Sequence, residues 1–207
     1  MKTVLIVLGV LAAIVAAGFL FLTGQYNGLV NRSQAVDAQW AQVQNVYQRR
    51  ADLVPNLVAT VSGAANFEKS TLTEITEARA SVGKVQLNPG SAPSAAQLAD
   101  FDKAQGQLSS ALSRLLVVAE NYPSLKATAN FQELQSQLEG TENRISVERG
   151  RFNDLALDYN SAIKRVPAVF FAAALGFKEK AYFTATPGSD KPPQVQFDFS
   201  KKEPVKP

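Results

Sequence analysis

Hydrophobic and polar positions along this chain fall into three regimes. From Val4 to Leu22 there are nineteen residues without a charge. At about 1.5 Å rise per residue they would form a helix of about 28 Å, close to the ~30 Å hydrocarbon thickness of a bilayer. A discarded export signal has a shorter apolar core, about 7–15 residues, and ends at a small-x-small site. Ala16-Ala17-Gly18 mimics such a site, but Phe19-Leu20-Phe21-Leu22 carries the run beyond it. The pattern predicts an uncleaved transmembrane helix over residues 1–24. Lys2 and the amino terminus precede the span and the first cation after it is Arg32. The positive-inside bias then predicts a single-pass cell-membrane protein with the rest of the chain on the extracytoplasmic side.

In the second regime apolar residues recur in alternating steps of three and four, the pattern of a helix burying one stripe. The clearest stripes are Leu98, Phe101, Gln105, Leu108, Leu112, Leu115 and Phe131, Leu134, Leu138, Thr141, Ile145, Glu148, Phe152. Earlier ones run Leu29, Ser33, Val36, Trp40, Val43, Tyr47 and Leu57, Val61, Ala64, Glu68, Leu72, Ile75, Arg79, Val82. The prediction is an all-α domain, 25–186, with helices at roughly 25–52, 55–86, 94–121 and 130–166, folded as an up-and-down antiparallel four-helix bundle with coiled-coil-like packing. Ser94 with Gln97 makes a capping box at the third helix, Pro123 ends it, and Asn130 with Glu133 suits the start of the fourth. Val54-Pro55 reads as a helix end followed by proline at a first helical position. The stripe nevertheless runs almost unbroken across Pro55, so a single kinked helix from 25 to 86 is the alternative.

The third regime begins at Pro167. "AVFFAAALGFKEKAYF" is apolar through Phe177 and then carries Lys178 and Lys180. This composition fits either a cap on the open end of the bundle or an interfacial helix with snorkelling lysines. Both place it at the membrane-facing end, near Tyr26-Asn27 and Tyr159-Asn160. Residues 187–207 hold five prolines and little continuous apolar surface, so the tail is expected to be disordered. Its alternating Val195, Phe197 and Phe199 would let it add a strand to a partner.

Composition narrows the chemistry sharply. The chain has no histidine and no cysteine, which removes zinc sites, Ser-His-Asp triads, di-iron Glu-x-x-His bundles and thiol chemistry. No paired carboxylates suggest another catalytic centre. The expectation is a non-enzyme without metal or cofactor. A net charge of +3 at 19% charged residues gives no nucleic-acid footprint. Eight Lys/Arg against four Asp/Glu lie from Lys164 onward, leaving thirteen against fourteen before it. The basic excess is C-terminal.

Arg49, Arg50, Asp52, Pro55 and Asn56 form the sharpest polar cluster. Paired guanidinium groups at the membrane-distal tip would suit a carboxylate or phosphate, while the plainer reading is a helix end satisfying its own backbone. Phe170, Phe171 and Phe177 are the second candidate contact surface. Glu68, Arg79 and Glu148 occupy stripe positions and would either pair as a buried ionic layer or slip into water.

The blocks "YNGLV", "VDAQWAQVQNVYQRRADLVPNLVATVSGAANFE", "LEGTENRI" and "GFKEKAYF" resemble the LemA family of membrane-anchored bacterial proteins, from about Tyr26 to Phe183. The resemblance implies one N-terminal transmembrane helix and a four-helix bundle. It implies no reaction. Partners are expected to be the membrane and another envelope protein, with an HtpX-type metalloprotease as the family's genomic neighbour. Two functions follow as expectations, an adaptor to such an assembly or a self-associating homo-oligomeric scaffold attached to the membrane.

Overall fold

The computed structural model describes residues 2–64, 67–88 and 90–184. The described residues are all-helical apart from turns and one extended leg. Helices α1 (Lys2–Ser62), α2 (Lys69–Gly83), α3 (Ala95–Ala119), α4 (Pro123–Lys126) and α5 (Ala129–Lys164) are followed by a 3-10 turn, Ala168–Phe170. The tail from 187 and its Val195–Phe199 alternation lie outside the described residues.

The apolar N-terminal run and the first amphipathic stripe form one uninterrupted helix of 61 residues, about 90 Å long. All the large apolar side chains from Val4 to Leu22 are at least 50% exposed. This helix is long and apolar enough to cross a membrane. Burial begins only past that run, at Leu29, Val36, Trp40, Val43 and Tyr47.

Pro55 is neither of the expected features. The helix passes through it, so the break predicted before 55 is absent, and α1 ends at Ser62 with α2 beginning at Lys69, so the single rod to 86 is absent too. A mid-helix proline has no N–H to give the carbonyl four residues back, which here belongs to Ala51. Arg79 of α2 supplies the missing donor, its Nε–H reaching the Ala51 carbonyl at 3.0 Å. Pro55 itself is exposed. A neighbouring helix therefore repairs the gap that would otherwise make Pro55 a stop.

Other boundaries follow local chemistry. The Ser94 capping box forms as predicted, with Gln97 N–H to Ser94 Oγ at 3.3 Å and Ser94 N–H to Gln97 Oε1 at 3.0 Å. The cap of α5 is Thr128 rather than Asn130, its hydroxyl accepting from Phe131 N–H at 3.4 Å. Pro123 does not end α3, which stops at Ala119, but opens the one-turn α4.

Helix α5 returns along α1, as Arg32 to Asp158 (2.8 Å), Gln39 to Glu148 (2.6 Å) and Arg50 to Glu142 (2.6 Å) show. The indices rise on one helix and fall on the other, so the two are antiparallel. Helix α3 pairs with α2 through Arg114 and Glu74 (3.2 Å). Because α2 is only 15 residues, it covers α1 near Ala51 and above but not below. Lower down its place is taken by residues 84–94 and by the leg 177–184. Asp37 fastens both, accepting from Ala92 N–H at 2.7 Å and from Lys180 Nζ at 2.8 Å. Asn160 and Asn153 clamp the leg along α5, each bonding the backbone of Lys180 or Phe183 in both directions at 2.8–2.9 Å.

The segment 167–176 is a 3-10 turn at Ala168–Phe170 followed by further turns. It covers the lower ends of α1 and α5, with Ala168 and Ala172 buried. Gly176, at φ 86°, reverses the chain into the leg in a conformation that L side chains rarely adopt.

Candidate functional site

Sequence proximity had grouped Arg49, Arg50, Asp52, Pro55 and Asn56, but the helix separates them. Arg49, Asp52, Pro55 and Asn56 are exposed, and Asp52 accepts from Gln48 of the preceding turn at 2.7 Å. Arg50 points inward and is 1% exposed. The paired guanidinium surface does not form. Nor is it at the tip: Arg50 lies twelve residues before the end of α1 at Ser62, about 18 Å short of it.

Arg50 instead bridges three helices. Its Nη1 donates to Ser109 Oγ at 2.7 Å and to Glu142 Oε1 at 2.6 Å, and its Nη2 to the Gln105 backbone carbonyl at 3.2 Å and to the Gln105 side-chain oxygen. The guanidinium carbon lies 5.1 Å from the Tyr47 ring centre, within cation–π range. Only Nε is without a partner. This polar layer holds one buried cation whose acidic partner, Glu142, stays 46% exposed, so it is not the predicted buried ionic layer. Glu68, Arg79 and Glu148 do not pair with one another: Glu68 accepts from Thr71 (3.3 Å), Arg79 reaches Ala51, and Glu148 binds Gln39 and Arg151.

The outer face of this layer is an open cleft of about 650 Å³ between α3 and α5. Arg50 and Tyr47 form part of its wall, together with Asp102, Gly106, Ser109 and Arg149. Arg149 pairs with Asp102 (3.0 Å), donates to the Tyr47 hydroxyl (3.4 Å) and lies 4.3 Å from the Phe183 ring centre. Burial pushes the Tyr47 phenol up from its ordinary value, against the opposing pull of Arg149 and Arg50. Lys103 and Ser110 line the same cleft and are exposed. A second hollow of about 490 Å³ continues it past Ser109 and Glu142 toward Leu116 and Leu138.

Gly106 lies on the cleft wall, and a Cβ there would meet nothing within 4 Å, as at the other glycines inside the described helices. Among the described residues no group of three or more Asp and Glu is placed to hold a metal ion. The cleft offers hydrogen bonds and charge.

Phe170, Phe171 and Phe177, the other predicted contacts, do gather at the lower end. Phe177 packs edge-on against Tyr26 at 5.5 Å, Phe171 is half-buried on the lower core, and Phe170 is 80% exposed.

A helix of membrane-spanning length that continues into a helical domain with a polar cleft, and no metal cluster among the described residues, defines a membrane-associated helical protein. A model of the LemA family matches residues 39–197, and the chain belongs to that family. Magnetosome protein MamQ of Magnetospirillum gryphiswaldense is 28% identical over 196 residues, covering 83% of this chain and 70% of that protein. Magnetosome protein MamQ 2 of Paramagnetospirillum magneticum is 27% identical over 207 residues, 91% of this chain and 74% of the relative. Protein LemA of Metamycoplasma hominis is 23% identical over 140 residues, 68% and 60% respectively.

Proposed function

We propose that this chain is a single-pass, non-enzymatic interaction module that presents an antiparallel four-helix bundle on the extracytoplasmic side of the membrane. Its α3–α5 cleft binds a segment of another envelope or membrane protein. The observation that carries this reading is the open cleft backed by the buried Arg50. The bundle reading draws on the α1–α5 and α2–α3 pairings, and the orientation on Lys2. Anchoring raises the effective concentration of the cleft toward membrane-bound partners. An HtpX-type metalloprotease is one such partner. The relatives named magnetosome proteins widen the partner class beyond proteases.

The test is site-specific photocrosslinking in cells from Ser110, inside the cleft, and from Gln107 on the neighbouring turn of α3. The proposal expects a membrane protein trapped from Ser110 and lost when Gly106→Trp fills the cleft, with the chain still folded by circular dichroism. Crosslinks only between copies of this chain would replace the adaptor with a self-associating scaffold. A crosslink unaffected by Gly106→Trp would move the partner off the cleft.

A further inference from the structure

The lower end of the molecule exposes an apolar surface where the fold does not need one. Val166 is 75% exposed, Phe170 80%, Leu175 53% and Val169 46%. The alanines at 173 and 174 are exposed beside them. The neighbouring Ala168 and Ala172 are buried and Phe171 packs on the lower core, so the cap is two-faced, with Val166, Val169, Phe170 and Leu175 on its outer side.

The level of this surface along α1 follows from the antiparallel pairing. Asp158 of α5 meets Arg32 of α1 at 2.8 Å. Six residues further down α5, about 9 Å, Lys164 comes level with Tyr26. The contact between Tyr26 and Phe177 at 5.5 Å fixes the same level independently. Everything from Val166 to Leu175 lies beyond that helix end or beside it. Thr23 and Gln25 are already partly covered, whereas Val4 to Leu22 are fully in the open. The cap thus begins at the residue where the apolar run stops.

The cations around the cap match an interface. Lys164 is tied to Glu179 (2.8 Å), while among the described residues Arg165 and Lys178 are exposed and make no ion pair. Apolar side chains ringed by unpaired cations are the signature of a surface that enters the headgroup region of an anionic bilayer. We infer that residues 166–175 form a second, non-spanning membrane contact, a foot that sits in the lipid headgroups beside the α1 span. Val166, Val169, Phe170 and Leu175 enter the acyl boundary, and Arg165 and Lys178 meet the phosphates. The inference rests on residues 4–22 being the membrane span, and it adds to that reading a second point of attachment that fixes the angle of the bundle.

The chain has no cysteine, so a single introduced one is the only labelling site. Ile14→Cys reports the span, Phe170→Cys the foot and Val117→Cys the upper end of α3. Each full-length variant, carrying an environment-sensitive fluorophore, is reconstituted into phosphatidylcholine vesicles with or without phosphatidylglycerol, half of the lipid being brominated on its chains. The expected result is loss of most emission at 14 and at 170 and none at 117, with the loss at 170 deeper when phosphatidylglycerol is present. A second variant keeps the inference falsifiable if the label itself disturbs the cap. With the label at 169, Phe170→Glu together with Leu175→Glu should abolish the quenching. Quenching at 14 but not at 170 or 169 overturns the foot and leaves the anchor standing. Absence of quenching at 14 overturns the anchor.

Discussion

The two ends of the helical domain solve the same packing problem with different residues. The distal half, where α1, α2, α3 and α5 all meet, has an aliphatic centre of Leu57, Val61, Ile75, Leu108, Leu115 and Leu138, with rings only toward its far end at Phe67, Tyr122 and Phe131. The proximal half is aromatic. Trp40 meets Phe101 and Phe152 edge to face at 5.3 and 5.6 Å, Tyr47 meets Phe101 at 4.9 Å, and Phe183 closes on Phe152 at 5.6 Å. The difference tracks the loss of α2, which is too short to reach this level. Rings extend further from the backbone than leucine, so fewer helices can still close a core around them. An extended leg held by Asn153 and Asn160 completes the wall. Between the halves lies the Arg50 layer, with the buried Gln105 beside it.

The deepest cuts should show whether these are two cores or one. Trp40→Ala is expected to cost about 3–5 kcal/mol and Leu57→Ala about 2–5 kcal/mol, read by denaturant unfolding in detergent. Hydrogen exchange then separates them: the Trp40 variant should release the amides of Lys180 and Phe183, and the Leu57 variant those of α2. Equal loss of protection in both halves under either substitution would merge the two clusters into one.

The polar layer comes next in size. Arg50→Ala leaves a cavity and orphans the buried Gln105 side chain, for an expected loss of about 2–4 kcal/mol. Arg50→Met fills the space without the charge and should lose less. A larger loss for Met than for Ala would refute the view that the layer sets specificity more than stability.

Smaller still is the repair at Pro55. With proline present, Arg79→Ala should cost about 1 kcal/mol, because the Ala51 carbonyl loses its donor. In a Pro55→Ala background the backbone N–H returns, and the same substitution should cost nearly nothing. Additive effects in this double-mutant cycle would remove Arg79 from the explanation.

The mildest probe is alkali. Burial raises the Tyr47 phenol in the folded state, whereas an unfolded tyrosine ionises near ~10. Above that pH the unfolded chain sheds a proton that the folded one retains. Stability from this group is therefore complete below ~10 and falls as pH rises. Tyr47→Phe should flatten the alkaline limb of the stability profile, and an unchanged limb would assign it to other groups.

Much of this was legible in the residues themselves. The stripe Leu98, Phe101, Gln105, Leu108, Leu112, Leu115, Ala119 falls on buried positions, because helical period and burial are one fact seen twice. Only its last step, Tyr122, overshoots the end of α3 and is half-buried. Ser94 and Gln97 sit three apart, and their box needs nothing from elsewhere. Pro55 could not be resolved this way, since the donor that replaces its N–H, Arg79, lies 28 positions beyond the Ala51 carbonyl it reaches. Arg50 was missed for a different reason. Its neighbour Arg49 invited a reading as a pair, although Val43, Tyr47, Val54 and Leu57 step in threes and fours through position 50. Two polar residues on core stripes, Arg50 and Gln105, were the signal. The cleft was invisible because Asp102, Ser109, Glu142 and Arg149 occupy two helices whose spacing no local pattern encodes.

Helix α1 runs from Lys2 to Ser62 without interruption, and this makes the molecule a lever. The 40 residues between Leu22 and Ser62 form an arm of about 60 Å. With residues 4–22 in a bilayer, a tilt of about 20° sweeps its end sideways by about 20 Å. A foot at 166–175 that fixes the angle of the bundle would hold this swing in check and keep the far end of the domain at a set place above the bilayer.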